Sequence, residues 1–72
     1  MIIPGIYRHY KGNDYEVIGT AKHSETLEEM IVYKPLYNNS GLWVRPLKMF
    51  EESVEINGEM VPRFKLIKAK VD

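Results

Sequence analysis

The sequence predicts an all-β domain of five to six short antiparallel strands with one short helical turn near residues 46–50. Three observations carry this. Turn signals recur at short intervals: KGND at 11–14, NNSG at 38–41 and NG at 57–58. Between them run β-branched and aromatic residues in alternation. No stretch supports more than a turn of helix, because strand-forming residues resume each time. At 72 residues the chain is a single domain, spanning 1–72, with a modest core and a thin stability margin.

GIYRHY at 5–10 is the first strand and YEVIGTAKH at 15–23 the second. A tight turn on Gly12 and Asn13 would set Tyr10 opposite Tyr15, His9 opposite Glu16 and Arg8 opposite Val17. In the second strand Tyr15, Val17, Gly19 and Ala21 share the more apolar face, which is assigned to the core. SETLEE at 24–29 is a polar connection. MIVYKPLY at 30–37 follows, interrupted by Pro35, which suits an edge or a bulge. Its core face is read as Ile31, Tyr33 and Tyr37, with Gly19 near Tyr33 and Ala21 near Ile31. A four-residue NNSG loop then opposes Tyr37 to Leu42, Leu36 to Trp43 and Lys34 to Arg45. That places Leu42 and Val44 inside, and Trp43 and Arg45 outside beside Leu36 and Lys34.

In PLKMFEE, Pro46 suits the start of a helical turn, and Leu47 and Phe50 at i, i+3 would point inward. A second hairpin, SVEI–NG–EMVPRFKLI, turns on Asn57-Gly58, a dipeptide that tolerates the positive φ a type I′ turn needs. The tail KAKVD is polar and expected to fray. Small domains with this outline are often SH3-like β-barrels, and that fold is the expectation here.

Composition excludes several chemistries. There is no cysteine, so disulfides, thiolate metal sites and thiol nucleophiles are ruled out. The lack of disulfides in so small a chain points to a reducing cytoplasm. No run approaches a membrane span, and MIIPGIYRHY is too short in apolar residues for a signal peptide. Ten basic and ten acidic side chains cancel, which argues against non-specific nucleic-acid binding. A local basic stripe through Arg63, Lys65, Lys68 and Lys70 is read first as a guarded strand edge.

The candidate site lies at Trp43 and Arg45. Tryptophan offers a large flat surface, and arginine a fork of donors for carboxylate or phosphate. The alternative is a tryptophan covering a small second core beneath the C-terminal hairpin, with Arg45 stacked on it. His9, beside Arg8, is expected to face Glu16. His23, Ser24 and Glu25 hold the residue types of a hydrolase triad, but neighbours on a strand alternate in direction and cannot align as one. Two histidines without short spacing do not make a metal site, and no glycine-rich phosphate loop is present.

The blocks GIYRHYKG (5–12), AKHSET (21–26), VYKPLY (32–37), GLWVRPLKMF (41–50) and VPRF (61–64) resemble the domain of unknown function 1653 family of small, mostly bacterial proteins. The resemblance spans nearly the whole chain. It implies that Arg8, His9, His23, Ser24, Glu25, Trp43, Arg45 and Arg63 belong to the family signature. Such a mix of arginine and histidine with aromatics reads as a site more than as packing.

The resulting expectation is a non-catalytic, cofactor-free binding module, monomeric or weakly dimeric. It would hold a nucleotide, a single-stranded nucleic acid or a peptide on Trp43 and Arg45, rimmed by His23, Ser24 and Glu25, with Arg8 and His9 nearby. A small enzyme using His9 or His23 with Glu16 or Glu25, and a purely structural interaction module, are the alternatives.

Overall fold

The structure is a computed structural model and describes residues 2–70. Seven strands and one helical turn follow in order: β1 (Gly5–His9), β2 (Asp14–Lys22), β3 (Glu29–Pro35), β4 (Trp43–Pro46), α1 (Leu47–Phe50), β5 (Ser53–Ile56), β6 (Glu59–Pro62) and β7 (Phe64–Ala69). All pairings are antiparallel. The main sheet has the order β4-β3-β2-β1-β7, and β5-β6 is a separate ribbon. The all-β class and the helical turn are as expected. The sheet does not close by hydrogen bonds among the described residues: β4 and β7 are its two edges.

The seventh strand arises from a break at Arg63. The Arg63 N–H still donates to the Glu52 carbonyl at 2.9 Å, one rung beyond Ser53 and Pro62 in the ribbon's register. The Arg63 carbonyl accepts from the Tyr10 N–H at 2.9 Å, which steers the chain onto β1. The expected single strand from Glu59 to Ile67 is therefore two, in two sheets. Lys68 and Ala69 pair with Ile6 and Gly5, so this part of the tail is ordered in the sheet; Val71 and Asp72 lie outside the described residues.

Three registers differ from the expected ones, each for a local reason. The β1–β2 connection takes four residues, with the His9 N–H bonded to the Asn13 carbonyl and Gly12 at φ 108°. Tyr7, not Tyr10, therefore faces Tyr15, and Arg8 faces Asp14. In β2 a bulge at Ile18 shifts the pairing, so Val17 faces Tyr33 but Gly19 faces Val32 and Ala21 faces Met30. Ala21 is exposed and Gly19 only half-buried, not the small core residues expected.

The third difference matters most. The β3–β4 connection runs from Leu36 to Leu42, widened by an Asn38 side chain that accepts from the Ser40 N–H and by Gly41 at φ 94°. Trp43 consequently faces Tyr33, Val44 faces Val32 and Arg45 faces Ile31. The shift is by three residues. Side chains alternate with period two, so an odd shift exchanges the faces. Trp43 and Arg45 lie on the core side of β4, while Leu42 and Val44 are 66% and 60% exposed.

The core is Tyr7, Tyr15, Val17, Ile31, Tyr33, Phe50 and Phe64, with Ile2, Leu47 and Leu66 packed against it. Tyr37, expected inside, is half exposed. α1 caps one end of the concave face: Phe50 lies parallel on Phe64, ring centres 4.2 Å apart, and meets Tyr7 edge-on at 5.4 Å.

Candidate ligand-binding face

The concave face is a graded aromatic cluster. Under α1 it is dry, with Phe50 and Tyr33 both 2% exposed. Away from α1, Tyr15 touches Tyr33, Phe64 and Tyr37 edge-on at 5.6–5.7 Å, and Trp43 meets Tyr33 at 6.2 Å. Here exposure rises, to 41% for Trp43. Trp43 is thus part core and part surface, one side on Tyr33 and the other toward solvent.

Positive charge gathers at this open end. Arg45 is half-buried, its Nε donates to the Tyr33 hydroxyl at 3.3 Å, and its guanidinium sits 5.7 Å from the Phe64 ring centre. It forms no ion pair among the described residues. His9, at the end of β1, faces Phe64 on β7 and meets its ring edge-on at 4.9 Å. Its Nδ1 accepts from the Lys11 N–H at 3.1 Å, so in the neutral ring the proton sits on Nε2, available as a donor. Burial lowers the His9 pKa below its ordinary value, and the charges of Arg63, Lys11 and Arg45 lower it further. Arg63 binds Glu52 at 3.1 Å, while its buried Nε has no partner. The Tyr15 and Tyr37 hydroxyls share a hydrogen bond of 3.0 Å, and burial with that bond pushes the Tyr15 pKa up to about 12.

Trp43, Arg45 and His9 are therefore brought together around Tyr33 and Phe64. The other candidates are not. His23 closes the β2–β3 turn: its Nδ1 accepts from the Glu25 and Thr26 N–H groups at 3.1 and 3.3 Å. Its own N–H bonds the Glu28 carbonyl. Tyr33, the partner of Trp43, lies five positions after Glu28 along the chain, roughly 16 Å at strand rise. Ser24 and Glu25 are exposed on that distant turn. Arg8 points to the opposite face, where its guanidinium holds Asp14 at 2.8 Å and keeps that carboxyl below the usual carboxylate range. Glu16, expected opposite His9, faces Ile6 and pairs with Lys34 at 3.5 Å. Neither histidine hydrogen-bonds a carboxylate among the described residues.

The sequence did not place Tyr33, Phe64 or Lys11 at this site, and it marked Arg63 only as a signature position on a basic stripe. The adjacency of Arg63 and Phe64 in VPRF was the available signal, since a break between them sends one to a loop and the other to the core. A cleft of about 790 Å³ lies between the β5–β6 ribbon and β1 and β7, with His9, Arg8 and Lys65 in its walls. Its walls are otherwise largely apolar and its arginine is already paired with Asp14, whereas Arg45 at the open aromatic end is half-buried and has no carboxylate partner among the described residues, which makes that end the better candidate for an anion. No group of three metal-ligating side chains occurs among the described residues, and no helix there is long and apolar enough to cross a membrane.

Residues 5–66 match the family model described as protein of unknown function (DUF1653). The chain belongs to the DUF1653 family. The crystal structure of a DUF1653 protein from Bordetella bronchiseptica is similar at 36% identity and a TM-score of 0.86, over 99% of this chain and 94% of that one. No curated protein matches the chain. DUF1653 membership carries the fold and the signature blocks, and it assigns no activity.

The His9 environment makes a pH prediction for this DUF1653 protein. Its folded-state pKa is below the unfolded value, so the fold prefers the neutral ring. The unfolded chain then binds more protons, and stability falls as pH drops below about 6.5 through the folded pKa. Urea unfolding at pH 7.5 and pH 5 should show this loss, and His9→Gln should remove it. An equal loss in the variant would refute the assignment.

Proposed function

We propose that this DUF1653 protein is a non-catalytic module that binds an anionic ligand carrying a flat ring, a nucleotide being the class it fits best. The observation that carries this is Arg45: a half-buried arginine set on aromatic rings with no carboxylate partner among the described residues. A buried or half-buried charge without a counter-charge is costly, and an incoming anion relieves that cost. Trp43 supplies the stacking surface, the outer fork of Arg45 takes phosphate or carboxylate, and His9, edge-on to the Phe64 ring, offers its Nε2 as a further donor. An enzyme using a histidine–carboxylate pair has less support, since Glu16 is tied to Lys34 and Glu25 offers His23 only its backbone N–H.

The test is a titration of two-dimensional amide NMR spectra with mononucleotides, short oligonucleotides and acidic peptides. Shifts should cluster at Trp43, Arg45 and His9. Arg45→Gln should weaken binding about tenfold to a hundredfold, the range expected for a hydrogen bond to a charged group. Binding should tighten as pH falls, because a bound anion favours protonated His9. A folded spectrum that moves with none of these ligands would favour a structural interaction module instead.

A further inference from the structure

The three arginines are held in different ways. Arg8 is engaged by the fold: its Nε and Nη2 bond the two carboxylate oxygens of Asp14 at 2.8 and 3.3 Å. Arg45 and Arg63 are held loosely. Among the described residues Arg45 spends one donor, its Nε, on the Tyr33 hydroxyl. Arg63 spends one, its Nη2, on Glu52 Oε1 at 3.1 Å, and its buried Nε has no partner. Most of the N–H donors of both guanidinium groups are therefore unspent. Both arginines flank Phe64. The Arg45 guanidinium lies 5.7 Å from its ring centre, and Arg63 precedes it at the break before β7. His9 meets the same ring edge-on at 4.9 Å. Besides burial, the charges of Arg63, Lys11 and Arg45 all depress the His9 pKa, so these cations gather around one imidazole. Among the described residues Glu52 is the one carboxylate hydrogen-bonded within this group.

We propose that Arg63 is a second anion subsite beside Arg45, occupied in the free protein by the Glu52 carboxylate, and that the ligand is a nucleoside diphosphate rather than a monophosphate. This deepens the anion-binding reading and rests on it. One phosphate lies on the outer fork of Arg45, with His9 Nε2 as a further donor. The next phosphate displaces Glu52 from Arg63. Glu52 is suited to leave, since its side chain is 52% exposed and holds Arg63 by a single hydrogen bond. An exposed pair of this kind contributes little, whereas a phosphate on a guanidinium forms short charge-assisted bonds. The grouping of cations around one ring suits adjacent phosphates on a small molecule. A nucleic-acid strand instead calls for charge that tracks the backbone along a groove.

Calorimetric titration of the full chain with adenosine monophosphate, adenosine diphosphate, inorganic phosphate and pyrophosphate tests this. The diphosphate should bind about tenfold to a hundredfold more tightly than the monophosphate, the range for an added hydrogen bond to a charged group. Pyrophosphate should exceed phosphate in the same direction. Arg63→Gln should bring the ratio of diphosphate to monophosphate affinity close to one. Glu52→Gln removes the internal competitor at an exposed position, so it reads the subsite even where Arg63→Gln weakens the fold, and it should raise that ratio severalfold. Equal binding of monophosphate and diphosphate, or a preference that survives Arg63→Gln, would overturn the second subsite and leave the anion-binding reading standing. A dinucleotide that binds more tightly than adenosine diphosphate would overturn the small-molecule assignment in favour of a strand. Binding of none of these probes would overturn both ideas.

Discussion

Gly5→Ala should remove about 3 kcal/mol or more of stability, enough to leave the domain largely unfolded near its working temperature. Gly5 sits where β1 crosses β7, at φ 154°, facing Ala69. A Cβ there would collide with the Lys68 carbonyl oxygen and lie 2.9 Å from the Ala69 Cα and 3.0 Å from the Lys70 nitrogen. All three are backbone atoms, so no side chain can swing aside. The clash is relieved only by parting β1 from β7, and β1 is the strand that ties β7 to β2. Strain at an unfavourable φ adds to the cost. Gly19→Ala is the control: nothing lies within 4 Å of its would-be Cβ, so that change should be nearly neutral. Urea unfolding of both variants checks the pair. A Gly5→Ala loss below about 1 kcal/mol would show that the two backbones do not approach this closely.

Phe50→Ala should cost about 3–5 kcal/mol, the usual range for truncating a buried aromatic. Phe50 is 2% exposed, stacks on Phe64 and meets Tyr7 and Tyr33. It is the one buried residue of α1, so its loss also releases the turn that caps the core. For a domain this small each 1 kcal/mol moves Tm by about 4–8 °C, so the midpoint should fall by more than about 12 °C. Trp43 is the only tryptophan and touches Tyr33, which touches Phe50, so its fluorescence reports the change. Phe50→Leu should retain most of the packing. If Phe50→Ala melted within about 4 °C of the native chain, the stack on Phe64 would not be what holds the concave face.

The expected Asn57-Gly58 turn is present, with φ of 51° and 84° at the two residues and Ile56 facing Glu59 across it. The turn after Pro46 is also present, with Phe50 buried and Leu47 packed on the core. Both are decided by a few adjacent residues whose backbone preferences do not depend on the rest of the chain. KGND and NNSG contain equally strong turn residues, yet the connections around them are longer than a tight hairpin. Their length depends on where the flanking strands find partners. The candidate site shows the same division. That Trp43 and Arg45 share a face follows from their spacing in a strand. Which face they share depends on a register set across the Leu36–Leu42 loop.

Sequence alone thus determined the all-β class, the helical turn, the type I′ hairpin and the pairing of an indole with a guanidinium. Tertiary structure decided three things: the bulge at Ile18, the break at Arg63 that sends Phe64 into the core, and the three-residue shift that moves Trp43 and Arg45 from the outside of the sheet to its aromatic interior. The physical reason is the two-residue period of a strand. Propensity is local and survives a change of register, whereas sidedness reverses with every odd shift and is settled only by packing across the sheet.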